Sequence, residues 1–279
     1  MSYRAFVSDV DGTLLGASGE IAPRDAQAIR ELQRRGIPVT LCTGRMYSGT
    51  RLVAQQLSVN EPLACIDGSH IVDATSGREL ATAPLAATSV PGLIEALEEH
   101  GPAAFVFSSD RVYFDDEGAD YLPYVTTWSD QTEQLGRVLD RDHWDDGRPI
   151  AALVALGERE QVERVHDFVQ ARHPEWLQSV YFPLRREGMM QVWGLIVRAA
   201  RVDKGTAIEW LAAHYGIGID EIVTIGDWFN DVPMLQRAGC SFAMAQAPDE
   251  VKASAKHVLQ ADIWGGGGIR EAAERSGLL

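Results

Sequence analysis

Along the chain, short runs of consecutive apolar residues, of the kind a buried parallel strand shows, alternate with segments whose apolar residues recur at helical spacing. Ala5, Phe6 and Val7 form the first run, and Gly12 then releases the backbone into a turn. Pro23 suits the first turn of a helix in which Ala26, Ile29 and Leu32 share one face and which Gly36 ends. A second strand is predicted over Ile37–Cys42, and a third over Leu63–Ile66. Strand, helix, strand in this order predicts a right-handed crossover.

The pattern changes near Pro84. Helices are predicted over Val90–Glu99 and Arg159–Arg172, with a weaker one around Tyr121–Trp128. Strands are predicted over Ala103–Phe107, Val112–Phe114 and Ile150–Leu156, and near Val180 and Gln191, with a polar loop over Asp140–Arg148. Such grouping implies a separate α+β sheet covered on one face. From Asp203 the first pattern resumes, with Ile208, Leu211, Ala212 and Tyr215 on one helical face, a strand over Ile222–Ile225, and Pro233 in the first turn of the next helix. Short elements then follow: a strand over Ser241–Met244, a helix over Glu250–Ala255, a strand over His257–Leu259 and a last helix from Ile269. The expected architecture is α/β. A Rossmann-like parallel-sheet core is built from residues 1–83 and 193–279, and an α+β domain, residues 84–192, is inserted into it.

Composition narrows the function classes. With 279 residues there is chain enough for two hydrophobic cores, and 46% hydrophobic with 23% charged residues is ordinary for a soluble globular protein. The net charge of -15, from 40 acidic against 25 basic residues, argues against a general attraction to nucleic acid or an anionic membrane. An anionic ligand would need a local pocket of cation, Lys and Arg. Cys42, Cys65 and Cys240 are odd in number, far apart and set among apolar residues, which suits buried thiols in a reducing compartment. No N-terminal segment joins basic residues to a long apolar stretch and no run reaches the length of a membrane span, so a cytoplasmic protein is expected.

The candidate chemistry sits where strands end. Asp9 and Asp11 follow the first strand, and two carboxylates so placed raise each other's pKa unless a cation lies between them. Thr43-Gly44-Arg45 follows the second strand, offering a hydroxyl and an approachable backbone N–H suited to a phosphate oxygen. Asp67-Gly68-Ser69 is another polar turn after the third strand. Lys204 opens a helix, and Asp227, Asn230 and Asp231 follow the strand over Ile222–Ile225. Each group has a plainer reading: Asp-Gly as a turn, Thr43 as a helix cap, Lys204 as a solvated charge, Asn230-Asp231 as a cap. Their joint placement at the carboxyl ends of strands of one open α/β sheet, where such sheets bind ligands, favours the chemical reading. Mg²⁺ prefers oxygen ligands and keeps several waters, so Asp9 and Asp227 with a backbone carbonyl would suffice, and Asn230 and Asp231 would complete or orient the set.

The runs Asp9-Val-Asp11-Gly12-Thr13, Thr43-Gly44-Arg45, Lys204 and Gly226-Asp227-x-x-Asn230-Asp231, spread over the whole chain, resemble the haloacid dehalogenase superfamily, specifically its Cof-type hydrolases with a large inserted α/β cap. The stretch Ala243-Met244-Ala245-Gln246-Ala247 looks like that family's tail. The resemblance implies that Asp9 attacks phosphorus to form an aspartyl phosphate and that Asp11 is the general acid and base, its backbone carbonyl also a metal ligand. It implies that Thr43, Gly44, Arg45, Lys204 and Asn230 bind substrate and phosphate, and that Asp9, Asp11, Asp227, Asn230 and Asp231 hold Mg²⁺. The expected partner is a small phosphorylated metabolite, foremost a sugar phosphate. A hexose phosphomutase and a catalytically idle ligand-binding regulator are the alternatives. Two departures stand out: the family's usual Asn-Gly-Ala is here Asp67-Gly68-Ser69, and Trp228 and Phe229 are bulky, as if packed under the helix. Arg185, Arg186 and Trp193 of the inserted domain, with Arg45, are candidates for contacting the leaving group.

Overall fold

The computed structural model describes residues 3–108, 110–140, 143–144, 149–184 and 191–279. In chain order the first segment gives β1 (Ala5–Ser8), α1 (Pro23–Arg34), β2 (Val39–Leu41), α2 (Tyr47–Gln56), β3 (Leu63–Cys65), β4 (His70–Val72) and β5 (Glu79–Thr82). The middle gives α3 (Val90–His100), β6 (Ala103–Ser108), β7 (Arg111–Phe114), α4 (Leu122–Val125), β8 (Thr132–Gln134), β9 (Ile150–Gly157), α5 (Arg159–Arg172), β10 (Leu177–Pro183) and β11 (Trp193–Ala199). The last segment gives α6 (Lys204–Tyr215), β12 (Ile222–Gly226), α7 (Val232–Arg237), β13 (Cys240–Ala243), α8 (Asp249–Ser254), β14 (His257–Val258) and α9 (Gly268–Arg275).

These elements divide into two compact units, one of residues up to Gly44, Thr50–Ala81 and Val202–Leu279, the other of Arg45–Gly49 and Thr82–Arg201. The first is built on a five-stranded sheet in the order β14-β13-β12-β1-β2, parallel throughout. Alternation along β1 sends Ala5 and Val7 into one core with Ala207, Ile208 and Leu211 of α6 and Met234 of α7. Strands that bury both faces need apolar residues throughout, and β1, β2, β12 and β13 are buried along their whole lengths. On the opposite face α1 packs on α9, whose first residue Gly268 lies against Ile225 of β12.

The apolar run at Leu63 does not extend the parallel sheet. After a single parallel bridge between Cys42 and Ala64, β3 turns back to pair antiparallel with β4 in a separate sheet, β3-β4-β5. The turn is made by Ile66 and Asp67, both with positive φ (50° and 51°), followed by Gly68 at φ 100°. A β-branched residue in that region is strained, at a cost of roughly 1–3 kcal/mol, and such strain is found where a backbone is held for a purpose.

The second unit is a six-stranded sheet in the order β10-β11-β9-β6-β7-β8, mostly antiparallel. Leu93 and Leu97 of α3 and Val162, Val165 and Val169 of α5 cover one face over Val106, Leu153, Ala155, Leu195 and Val197. Residues 193–199, placed from sequence in the returning core segment, pair as β11 with both β9 and β10 and so belong to this sheet. The helix expected over Tyr121–Trp128 is a 3-10 turn (Asp116–Tyr121) followed by the short α4. Part of the polar loop over Asp140–Arg148 and the candidates Arg185 and Arg186 lie outside the described residues. Among the described residues, no helix is long and apolar enough to cross a membrane.

Candidate active site

Register places the site. Ser8 pairs with Ile225 on one side and Leu41 on the other, so β1, β12 and β2 finish level and Asp9, Asp227 and Thr43 leave the sheet at one rim. The ladder continues one step further, Asp9 N–H donating to Ile225 O at 3.0 Å and Cys42 N–H to Ser8 O at 2.8 Å. Asp9 is thereby fixed by main-chain bonds before its side chain makes any contact.

Lys204 enters the rim from the first turn of α6. Asp203 caps that helix by accepting the Thr206 N–H at 2.7 Å, while Thr206 Oγ1 accepts the Asp203 N–H at 3.0 Å. The capped turn directs Lys204 Nζ to Asp9 Oδ1 and Asp231 Oδ1, both at 2.6 Å, with Asp67 Oδ1 at 3.9 Å. Lys204 is fully buried, and so are, or nearly are, Asp9, Asp67, Asp227 and Asp231. Three buried carboxylates thus face one buried ammonium, and a fourth, Asp227, lies beside Asp9 and Asp231.

The second oxygen of Asp231 accepts the backbone N–H groups of Asp227 and Trp228 at 2.8 and 2.9 Å. Asp231 therefore both holds Lys204 and shapes the turn after β12. Asp227 is held by uncharged donors: Thr13 Oγ1 donates to Oδ1 at 3.1 Å, and Gln246 Nε2 stands 3.4 Å from Oδ2. The same Gln246 amide donates to Gly12 O at 2.7 Å, and its oxygen accepts the Ile263 N–H at 3.0 Å. Two glycines permit this approach. A Cβ on Gly12 (φ 83°) would lie 2.3 Å from Asp227 Oδ2, and one on Gly226 would lie 2.5 Å from the Asp231 carboxyl carbon.

The electrostatics follow from burial and the charge imbalance. Burial holds Asp9 well above the ordinary carboxylate range despite Lys204, and the charges of Asp231, Asp227 and Asp11 push it further. Burial, then Asp231, lifts Asp227 to about 7, against the lowering effect of Thr13, Lys204 and Gln246. For Lys204 burial favours the neutral form, but Asp231, Asp9 and Asp67 together outweigh it and hold the ammonium well above its ordinary value.

The donor set fits a hard divalent cation. One oxygen from each of Asp9, Asp227 and Asp231 falls within 4.8 Å of the others. Asp231 spends its oxygens on the charged Lys204 and on two backbone N–H groups, whereas Asp227 meets uncharged side-chain donors and Asp9 is bonded to Lys204 through Oδ1. A charge of two placed there would offset most of the surplus.

The other expected residues are placed as follows. Asp11 is exposed beside the Gly12 turn, near enough for its charge to act on Asp9. Thr43 is fully buried and Gly44 half-buried at the end of β2. Asn230 donates its amide N–H to Asp67 Oδ1 at 2.8 Å. Arg45 belongs to the second unit, where its guanidinium donates to Gly49 O at 3.2 Å. Trp193, also there, lies under the Arg159 guanidinium (5.0 Å to the ring centroid) and beside Tyr181. Phe229 is 42% exposed, which corrects the expectation that it packs under the helix. The runs that contain Thr13 and Gln246 carry no sign in the sequence that these two support Asp227, because only the fold brings residues 13, 227 and 246 together.

Comparison with known proteins fits this geometry. The family model for haloacid dehalogenase-like hydrolases matches residues 6–264. The pyridoxal phosphate phosphatase YbhA of Escherichia coli is 26% identical over 267 residues, covering 93% of this chain and 94% of that protein. The 5-amino-6-(5-phospho-D-ribitylamino)uracil phosphatase YitU of Bacillus subtilis is 26% identical over 255 residues, covering 88% of this chain and 87% of that protein. A solved haloacid dehalogenase-like hydrolase from Bacteroides thetaiotaomicron shares the fold at a TM-score of 0.81 with 21% identity, covering 98% of this chain and 99% of that one.

Proposed function

This chain belongs to the haloacid dehalogenase-like hydrolases and is a phosphoric monoester hydrolase, and from that premise we propose a Mg²⁺-dependent phosphatase of small phosphorylated metabolites, foremost sugar phosphates, working through an aspartyl phosphate. The observation that carries the proposal is Lys204, buried at 2.6 Å from both Asp9 and Asp231 beside Asp227 at the carboxyl rim of the sheet. A purely structural ion pair does not need surplus carboxylates in a buried place. A site that gathers positive charge around a phosphoryl group does.

In this mechanism the Asp9 carboxylate attacks phosphorus, forming an oxygen–phosphorus bond as the bond to the leaving alkoxide breaks. Asp11, exposed beside the Gly12 turn, donates the proton that the alkoxide takes away. Water then attacks the phosphorus of the aspartyl phosphate, Asp11 accepts its proton, and Asp9 is released with inorganic phosphate. Thr43, the Gly44 N–H and Lys204 hold the phosphoryl oxygens while charge shifts between them. A divalent cation held by Asp9 and Asp227 would, when bound, neutralise phosphoryl charge, and Mg²⁺ is assigned because every available donor is an oxygen. Asp231 keeps Lys204 and the Asp227 turn in place throughout.

To the second unit we assign recognition of the leaving group, and to the protein a cytoplasmic place, the three cysteines being buried and in no disulfide. A panel of phosphorylated metabolites incubated with Mg²⁺ tests the reading. Phosphate release from sugar phosphates, lost on adding a chelator and restored by Mg²⁺, is the expected result. Conversion of one isomer into another without phosphate release, or no reaction with any monoester, would overturn it.

A further inference from the structure

Asp67 is the one carboxylate of the cluster to which the phosphatase mechanism gives no task. It is 2% exposed, and the left-handed backbone of Ile66 and Asp67 carries it to the rim, where its N–H donates to Thr43 O at 2.9 Å. Its Oδ1 accepts the Asn230 amide at 2.8 Å and stands 3.9 Å from Lys204 Nζ. A Cβ on Gly44 would lie 3.6 Å from the same oxygen, so the carboxylate lies against the backbone assigned to phosphate.

An ammonium offers three N–H donors. Lys204 commits two of them, to Asp9 and Asp231 at 2.6 Å, and the third remains for an incoming phosphoryl oxygen, with Asp67 Oδ1 standing 3.9 Å from Nζ. Asp67 also occupies an Asn230 donor and sets a fixed negative charge beside the place where a dianion must sit. It lies too far from Lys204 for a hydrogen bond, so it opposes the dianion without displacing it.

We propose that Asp67 sets the affinity of the phosphate site, its charge beside Lys204 and the Gly44 backbone opposing the phosphoryl group so that inorganic phosphate, the product, is held weakly and leaves. The inference rests on the assignment of Lys204, Thr43 and Gly44 to the phosphoryl group. Asp67 thus acts through its charge on the affinity of the site, not as a nucleophile or a proton carrier.

The test uses Asp67→Asn and Asp67→Ser, both of which remove the charge. Asn also tolerates left-handed backbone and keeps an oxygen for Asn230. Inorganic phosphate is measured as a competitive inhibitor of p-nitrophenyl phosphate hydrolysis and, independently, by calorimetric titration of the Mg²⁺-loaded proteins. The expected result for Asp67→Asn is a phosphate constant lower by about tenfold or more, with a lower KM. A gain of affinity is what damage to the structure does not produce. An unchanged or higher constant in Asp67→Asn that melts as the wild type does overturns the proposal, and if that variant fails to fold, Asp67→Ser decides by the same criterion. A wild-type protein that hydrolyses no monoester removes the phosphatase reading beneath it, whereas an active wild type with phosphate affinity indifferent to residue 67 removes this inference alone.

Discussion

Asp9→Asn protein is expected to lose turnover of p-nitrophenyl phosphate by at least about a thousandfold, and at the same time to melt higher than the wild type when both are freed of metal. The first effect follows from removing the nucleophile. The second follows from the cluster, in which four buried carboxylates gather with one buried ammonium. Asn keeps an oxygen for Lys204 but carries no charge, so about 1–3 kcal/mol of stability is expected in return. An inactive variant that melts lower would show that Asp9 is needed for structure, and persistent turnover would remove it as nucleophile.

The stabilisation carries a pH signature. The native protein holds Asp227 at about 7, against an ordinary value of 3.8, and holds Asp9 high as well. Between those values the native state binds more protons than the unfolded state, so stability is fully present below about 3.8 and falls as the pH rises towards about 7. Denaturation of chelator-treated protein should therefore show the advantage of Asp9→Asn growing from pH 4 to pH 7, since only the wild type carries a second raised acid, which the unfolded chain ionises more readily than the native protein does. Added Mg²⁺ should stabilise the wild type more than the variant at the upper end.

Lys204→Met should have the opposite effect on stability. It removes the ammonium bonded to Asp9 and Asp231 and leaves both carboxylates buried without it. Breaking a buried pair in this way costs about 3–5 kcal/mol, and turnover should fall by about a hundredfold or more. The double variant Lys204→Met with Asp9→Asn should recover part of the lost stability, because one stranded charge goes with its partner. Additive losses would show that the 2.6 Å contact contributes nothing to the coupling.

Much of this was legible in the sequence. Apolar runs ending in Asp9, Thr43 and Asp227 gave their positions on a parallel sheet, because a strand buried on both faces has few alternatives to such a run. The α2 helix is not legible in the sequence because its buried side carries the polar Ser48 and Thr50 beside Val53 and Ala54, while the apolar Leu52 is 57% exposed. The run at Leu63 could not declare its direction, since a buried strand looks the same in either sheet, and the turn at Ile66 and Asp67 decides it. Asp67 was noticed only as an unusual acid. That it lies between Asn230 and Lys204 depends on that turn, on α6 and on the segment after β12 at once.

Asp9 as the atom source that attacks phosphorus is the centre of the account, and chemical trapping tests it most directly. The Asp11→Asn variant should still be phosphorylated by p-nitrophenyl phosphate, whose leaving group needs no proton, but should hydrolyse the acyl phosphate slowly. Borohydride reduction of the quenched Mg²⁺-loaded reaction, followed by peptide mass analysis, should then show homoserine at residue 9. Release of p-nitrophenol with residue 9 unreduced, or with the modification at any other carboxylate, would contradict the account.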